Sequence, residues 1–186
     1  GTDLTEAAAA KETTSNELRN DIVYKTILIL EQNGDKMSVS LPLKLTSKGF
    51  EFTVSGNTLN TFLMNVYGAS SVDSLTEEQA SSTADDIFKY MRGKDLFNIS
   101  ETYSDEAALK ILAVRYEIWL NRYQQYMSVQ LADGISEESY AAIKENSDEL
   151  LGMEVSVESH RVYNDSVYFA QIIGYILSLI HISEPT

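Results

Sequence analysis

The chain has no cysteine among its 186 residues, which removes disulfides, thiolate nucleophiles and cysteine-ligated metals together. Basic residues are also few: 14 Lys and Arg stand against 28 Asp and Glu, for a net charge of −14 and a pI near 4.4. That balance argues against a nucleic-acid partner, because binding to a phosphate backbone depends on Lys and Arg neutralising phosphates. The acidity itself is read as a solvated surface. Long apolar runs are missing too. Phe169 to Ile182 is uncharged and mostly apolar, but it falls short of the roughly 20 residues a membrane-spanning helix needs, so it is assigned to the core. Histidine occurs twice, as His160 and His181. Neither stands beside a second histidine or a spaced carboxylate cluster, and no metal or cofactor is expected.

What is present suits one domain of ordinary size. With 44% hydrophobic residues the chain can bury a core, which excludes global disorder. The expected fold class is α+β: a mostly helical head over residues 14–122 and a small β-sheet stem over 123–176. Residues 1–13, with Ala7 to Ala10, are expected as a linker or frayed helix.

Thr14 and Glu17 form a capping-box pattern, and Leu18, Ile22, Val23, Ile27, Ile29 and Leu30 then mark a helix ended by Asn33-Gly34. Val39 to Leu45 and Phe50 to Val54 flank Ser47-Lys48-Gly49 as a hairpin. Leu59, Phe62, Leu63 and Val66 give a short helix over 58–67 ended by Gly68. Ser74 with Glu77 predicts a second capping box opening a helix that continues to Arg92-Gly93, and Ser104 caps a helix with Leu109, Leu112, Tyr116 and Trp119 on one side. Beyond it the period changes. Met127, Val129 and Leu131 alternate with polar residues, Ser136 caps a helix with Tyr140 and Ile143, and alternation returns at Met153, Val155 and Val157. This strand, helix, strand unit predicts parallel pairing through a right-handed crossover.

Several constellations could carry chemistry. The acid pairs Glu77-Glu78, Asp85-Asp86, Glu137-Glu138 and Asp148-Glu149 fall mostly in or near first helical turns, where negative charge suits the helix dipole. A carbohydrate-active enzyme using paired acids is the weakest reading, since nothing separates the pKa values within a pair. Tyr116, Tyr123 and Tyr126 could stack on a sugar, but core and sheet packing is the simpler assignment. His160 is read as a surface or hydrogen-bonded side chain.

Arg161-Val-Tyr-Asn-Asp-Ser-Val-Tyr-Phe-Ala-Gln-Ile-Ile-Gly-Tyr175 resembles the stretch that closes the N-terminal dimerisation, or pedestal, region of class B penicillin-binding proteins. The resemblance runs from about Thr14 to Tyr175. Arg161 and Tyr163 match its Arg-x-Tyr, while Asn164-Asp165-Ser166 stand where the family often has Pro and Gly, and Gln171 where it often has His. Asp165 is expected to cap a helix from Ser166 to Ile173 that Gly174 ends. Arg161, Tyr163 and Gly174 are the structural motif residues, not catalysts.

Acyl transfer in that family needs a Ser-x-x-Lys pair on one helix face, with S-x-N and Lys-Thr-Gly elements. No lysine here has Ser three positions before it, and Lys-Thr-Gly is absent. Ser55-Gly56-Asn57 satisfies S-x-N but stands where a helix cap is expected. No catalytic residue is therefore assigned.

The resemblance implies a non-catalytic region of a membrane-anchored D,D-transpeptidase that cross-links peptidoglycan outside the cytoplasmic membrane. Its implied partners are the parent's own transpeptidase domain and proteins of the elongation or division complex. Leu177-Ser-Leu-Ile-His-Ile-Ser-Glu-Pro-Thr186 resembles instead the in-frame translation of a transposase mosaic-end sequencing adapter, so 177–186 is expected as a non-native tail and the chain as a fragment. The alternative is a free-standing extracytoplasmic interaction or foldase-like module.

Overall fold

The computed structural model describes residues 14–123, 128–162 and 165–175, with side chains for 14–123, 128–157 and 171–172. The chain is α+β. Helix α1 (Ser15–Gln32) opens with the predicted reciprocal cap: Glu17 N–H donates to Thr14 Oγ1 at 3.2 Å, and Thr14 N–H donates to Glu17 Oε2 at 2.9 Å. It closes on Gly34, whose φ of 80° only glycine adopts cheaply. An extended ribbon follows, in which Leu41 is buried and Met37 and Val39 pack against the core while Lys36, Ser38 and Ser40 face out.

The hairpin forms as predicted, with shorter strands: β1 (Leu43–Thr46) pairs antiparallel with β2 (Gly49–Phe52). Helix α2 (Gly56–Tyr67) ends at Gly68 in the left-handed region. The helix predicted to run unbroken from Ser74 to Arg92 is instead three pieces. They are a 3-10 turn (Val72–Ser74), α3 (Glu77–Ala80) and α4 (Ala84–Arg92). Thr76 and Thr83 each start a new helix through a capping box of their own. Ser81 and Ser82 hydroxyls turn back to the carbonyls of Glu77 and Glu78, the local competition that stops a helix in a Ser/Thr run.

Helix α5 (Asp105–Leu120) starts at Ser104 as predicted. Its middle is buried nearly all round, at Ala108, Ile111, Leu112, Ala113, Val114, Arg115 and Tyr116, instead of along a single stripe. It packs on α1, α4 and β3, so one apolar face would not suffice.

The sheet departs from expectation. Its strands are β3 (Ser128–Ile135), β4 (Met153–Val162) and β5 (Asp165–Tyr175), with α6 (Glu137–Glu145) between β3 and β4. The order is β3-β5-β4, and β5 is antiparallel to both neighbours. β3 and β4 therefore run in the same direction, but they do not pair with each other. The predicted helix over 166–173 is part of β5. Val167, Tyr168, Phe169, Ile172 and Ile173 are β-branched or aromatic and suit a pleated strand, paired with β4 along most of its length and with β3 from Ala170 to Tyr175.

A single apolar cluster joins both parts of the chain, running from Leu18, Ile27 and Leu112 to Leu131, Ile143, Leu150, Met153 and Ile172. α1 contacts both α5 and α6, and Ser38 N–H donates to Leu131 O at 2.8 Å.

Candidate interaction surface

Among the described residues no group of His, Asp or Glu is arranged to hold a metal, and no helix is long and apolar enough to cross a membrane. The acid pairs are spent locally. Asp85 Oδ1 accepts from Phe50 N–H at 3.2 Å and ties the hairpin to α4, whereas its neighbour Asp86 accepts from Thr83 N–H and Oγ1 at 3.0 and 2.6 Å. Those bonds from Thr83 hold the Asp86 carboxyl below its ordinary pKa. Glu149 bridges to Lys25 Nζ at 3.1 Å, and Glu77, Glu78, Glu137 and Glu138 are exposed in first turns.

Ser55 takes the N-cap position of α2 with extended backbone, but its hydroxyl makes no capping bond. Gly56 follows at φ 59°, and the predicted side-chain cap is not made. The tyrosines do not form one platform. Tyr116 is buried edge-on to Phe62 at 5.4 Å, Tyr123 is 80% exposed, and Tyr126 lies outside the described residues. Burial raises the Tyr116 hydroxyl pKa, with Asn65 opposing it by a hydrogen bond. At the end of α5 the Arg122 guanidinium lies 3.7 Å from the Trp119 ring centroid and 4.3 Å from that of Tyr123, while Nη1 donates to Trp119 O at 2.8 Å. This is a cation–π sandwich that also closes the helix.

Of the motif residues, Arg161 stands in β4 opposite Ser166, and Gly174 stands in β5 opposite both Val129 and Met153. Gly174 thus occupies the middle of the three strands and does not end a helix. Tyr163 lies outside the described residues, as do residues 1–13, Met127 and the tail 177–186.

Open surface features among the described residues include two pockets and a strand edge. An apolar groove of about 340 Å³ lies between α1, α5 and the ribbon, floored by Ile27, Leu41, Leu43 and Ala113. A more polar pocket of about 350 Å³ is lined by Glu17, Asn20, Asp21, Ser100, Thr102 and Tyr103. The third is the outer edge of β4, which pairs with no other strand among the described residues. Its Val157 is 48% exposed. β4 pairs with β5 continuously from Met153 opposite Gly174 to Val162 opposite Asp165, whereas β3 has two register irregularities. Long, regular edges of this kind invite a further strand.

The sequence reasoning missed the polar residues that organise the interior. Asn20 and Arg115 are 1% and 7% exposed, and Arg92 is 6% exposed. Arg92 donates to Asp105 Oδ1, Ser100 O and Tyr103 O at 2.8, 2.8 and 2.7 Å. A polar residue inside an apolar periodicity was the available signal.

A family model described as Penicillin-binding Protein dimerisation domain matches residues 6–184. That span takes in the whole described structure and passes beyond Leu177. No curated protein matches the chain.

Proposed function

The chain belongs to the penicillin-binding protein dimerisation-domain family, and on that premise we propose that it is the non-catalytic pedestal of a D,D-transpeptidase that cross-links peptidoglycan. The observation that carries this reading is the match over residues 6–184 in a chain with no Ser-x-x-Lys and no Lys-Thr-Gly. A region of this kind acts by position. It holds a catalytic domain at a distance from the membrane and offers surfaces to other proteins of the elongation or division machinery on the extracytoplasmic side.

The open edge of β4 and the apolar groove beside α1 support such a role, since both are places where protein could be added. In this reading Arg161 in β4 and Gly174 in β5, together with Tyr163, are structural residues with no part in chemistry.

The genomic reading frame beyond Tyr175 tests it. A frame that continues into a domain bearing Ser-x-x-Lys, S-x-N and Lys-Thr-Gly supports the pedestal assignment. A stop codon soon after Tyr175 would favour the free-standing interaction module.

A further inference from the structure

Asp35 stands at a corner where helices from distant parts of the chain meet. Its N–H donates to Leu30 O at 2.8 Å while Gly34 N–H donates to Glu31 O at 3.2 Å. These are the paired bonds that close a helix through a left-handed residue. The same residue's Oδ2 accepts from Ser136 N–H at 2.9 Å and from the hydroxyls of Ser136 and Ser139 at 2.6 Å each. One residue thus ends α1 with its backbone and places an anion at the start of α6, where free N–H groups and the helix dipole favour it. Ser139 is fully buried, so its hydroxyl has no water to replace Asp35. Beyond the far end of α6, Glu149 is held to α1 by Lys25.

We propose that Asp35 is a latch that couples the end of α1 to α6, so that releasing it lets α6 and β4 open together while α5 stays closed. A nine-residue helix does not hold itself in water; α6 depends on Ile143 packing in the core and on the Asp35 contact. β4 packs on α6 and, among the described residues, has a strand on one side only. Losing α6 therefore strips the cover from Met153 and Val155 and leaves β4 with β5 alone. The α5 core at Ile111 to Tyr116 rests on α1, α4 and β3, none of which is α6 or β4, and does not use the latch. The inference stands apart from the transpeptidase reading, because it concerns only contacts within this chain.

Hydrogen exchange on the whole chain tests it, comparing the wild type with Asp35→Asn and Ser139→Ala. Asp35→Asn keeps the backbone bonds that close α1 but removes the charge. Ser139→Ala removes a single hydroxyl and reports on the same contact with less disturbance of the fold. In both variants the amides of 137–145 and 153–157 are expected to exchange at least about tenfold faster, the scale of a lost hydrogen bond to a charged group. Amides of 111–116 are expected to be unchanged. Equal acceleration in all three segments, or none in 137–145, would overturn the latch.

Discussion

Arg115 donates through Nη1 to Asn20 Oδ1, and the amide so oriented donates through Nδ2 to Phe97 O and Asn98 O at 3.0 Å each. Asn16 supplies two further acceptors to the guanidinium, its backbone O at 3.3 Å and its Oδ1 at 2.8 Å, and the Phe97 ring lies 5.2 Å away. No carboxylate pairs with Arg115 among the described residues. Burial, with Arg19 as a like charge nearby, pushes its pKa down to about 9, which leaves it a cation at neutral pH. The relay fixes the connection between α4 and α5, in which Ser100 O and Tyr103 O are held by Arg92.

Asn20→Ala is expected to cost more than Arg115→Met. The first change deprives the Phe97 and Asn98 carbonyls of the amide and leaves the buried cation with Asn16 alone as acceptor, for a loss of about 2 to 4 kcal/mol. The second removes the cation along with its solvation cost and retains apolar bulk, and is expected to cost about 1 to 2 kcal/mol. Urea unfolding midpoints at constant m-value give the order. An Arg115→Met variant less stable than Asn20→Ala would show that the guanidinium, not the amide, organises the connection.

The Asp35 contact should be visible in the pH dependence of stability. Burial pulls this carboxyl's pKa upward, but the hydrogen bonds from Ser136 and Ser139 outweigh it, and the net shift is downward. A carboxyl with a folded pKa below its unfolded value contributes stability that is present in full above the unfolded pKa and is lost as pH falls through the folded one. The wild type should therefore exceed Asp35→Asn by about 1 to 3 kcal/mol at pH 7, the scale of hydrogen bonds to a charged group. The gap should close progressively below the ordinary carboxylate range. A gap independent of pH down to full carboxylate protonation would separate the stabilisation from the charge.

Local signals in the sequence were legible where one residue did one thing. Thr14, Ser104 and Ser136 start helices, and Gly34 and Gly68 end them, because caps depend on side-chain chemistry within a single turn. The β5 segment reads as a helix in the sequence because Asp165 and Gly174 also fit the two ends of a capped helix. The strand wins through pairing with β3 and β4, a non-local gain that no window of sequence contains. The same holds for Asp35 and Asn20, whose partners lie 101 and 77 residues away. The family motif was legible as a sequence pattern, while its backbone form was not.

Gly49→Ala is expected to loosen the hairpin from α4. Gly49 has φ of 117°, and a Cβ there would meet Asp85 Oδ1 at 3.0 Å and Oδ2 at 3.1 Å. That carboxylate is fixed by accepting from Phe50 N–H, and the Phe50 ring stacks on Phe88 with centroids 3.8 Å apart. Backbone strain and the displaced acid together should cost about 1 to 3 kcal/mol. Asp85→Ala combined with Gly49→Ala separates the terms. The double variant should recover part of the loss if the clash matters, and none of it if backbone strain alone is responsible.

Fluorescent penicillin should give no covalent band with this chain. Covalent capture of a β-lactam requires a serine activated by a nearby lysine, and no lysine follows a serine at that spacing. Ser55, the serine of the lone S-x-N pattern, is at the exposed start of α2. A labelled band that survives denaturation would sink the non-catalytic assignment.

Protection from hydrogen exchange in the unmodified chain should rank the helical core above the sheet's outer strands. Residues 21–30 and 109–120 belong to helices whose inner faces include Ile22, Val23, Ile27, Leu30, Ile111 and Leu112, each at most 3% exposed. Opening them would expose several large apolar side chains, at roughly 1.5 to 3 kcal/mol apiece. Among the described residues β4 has one strand beside it and an exposed Val157, and pairing between β3 and β5 is broken by register shifts at 130–132 and 132–135. Two-stranded pairing without further cover is marginal. The amides of 128–135 and 153–162 should therefore exchange faster than those of 21–30 and 109–120, the more so toward residue 162, where β5 no longer has β3 on its other side. Equal or greater protection in the strands would mean that the sheet is complete as it stands, and would favour a free-standing module over the pedestal of a longer enzyme.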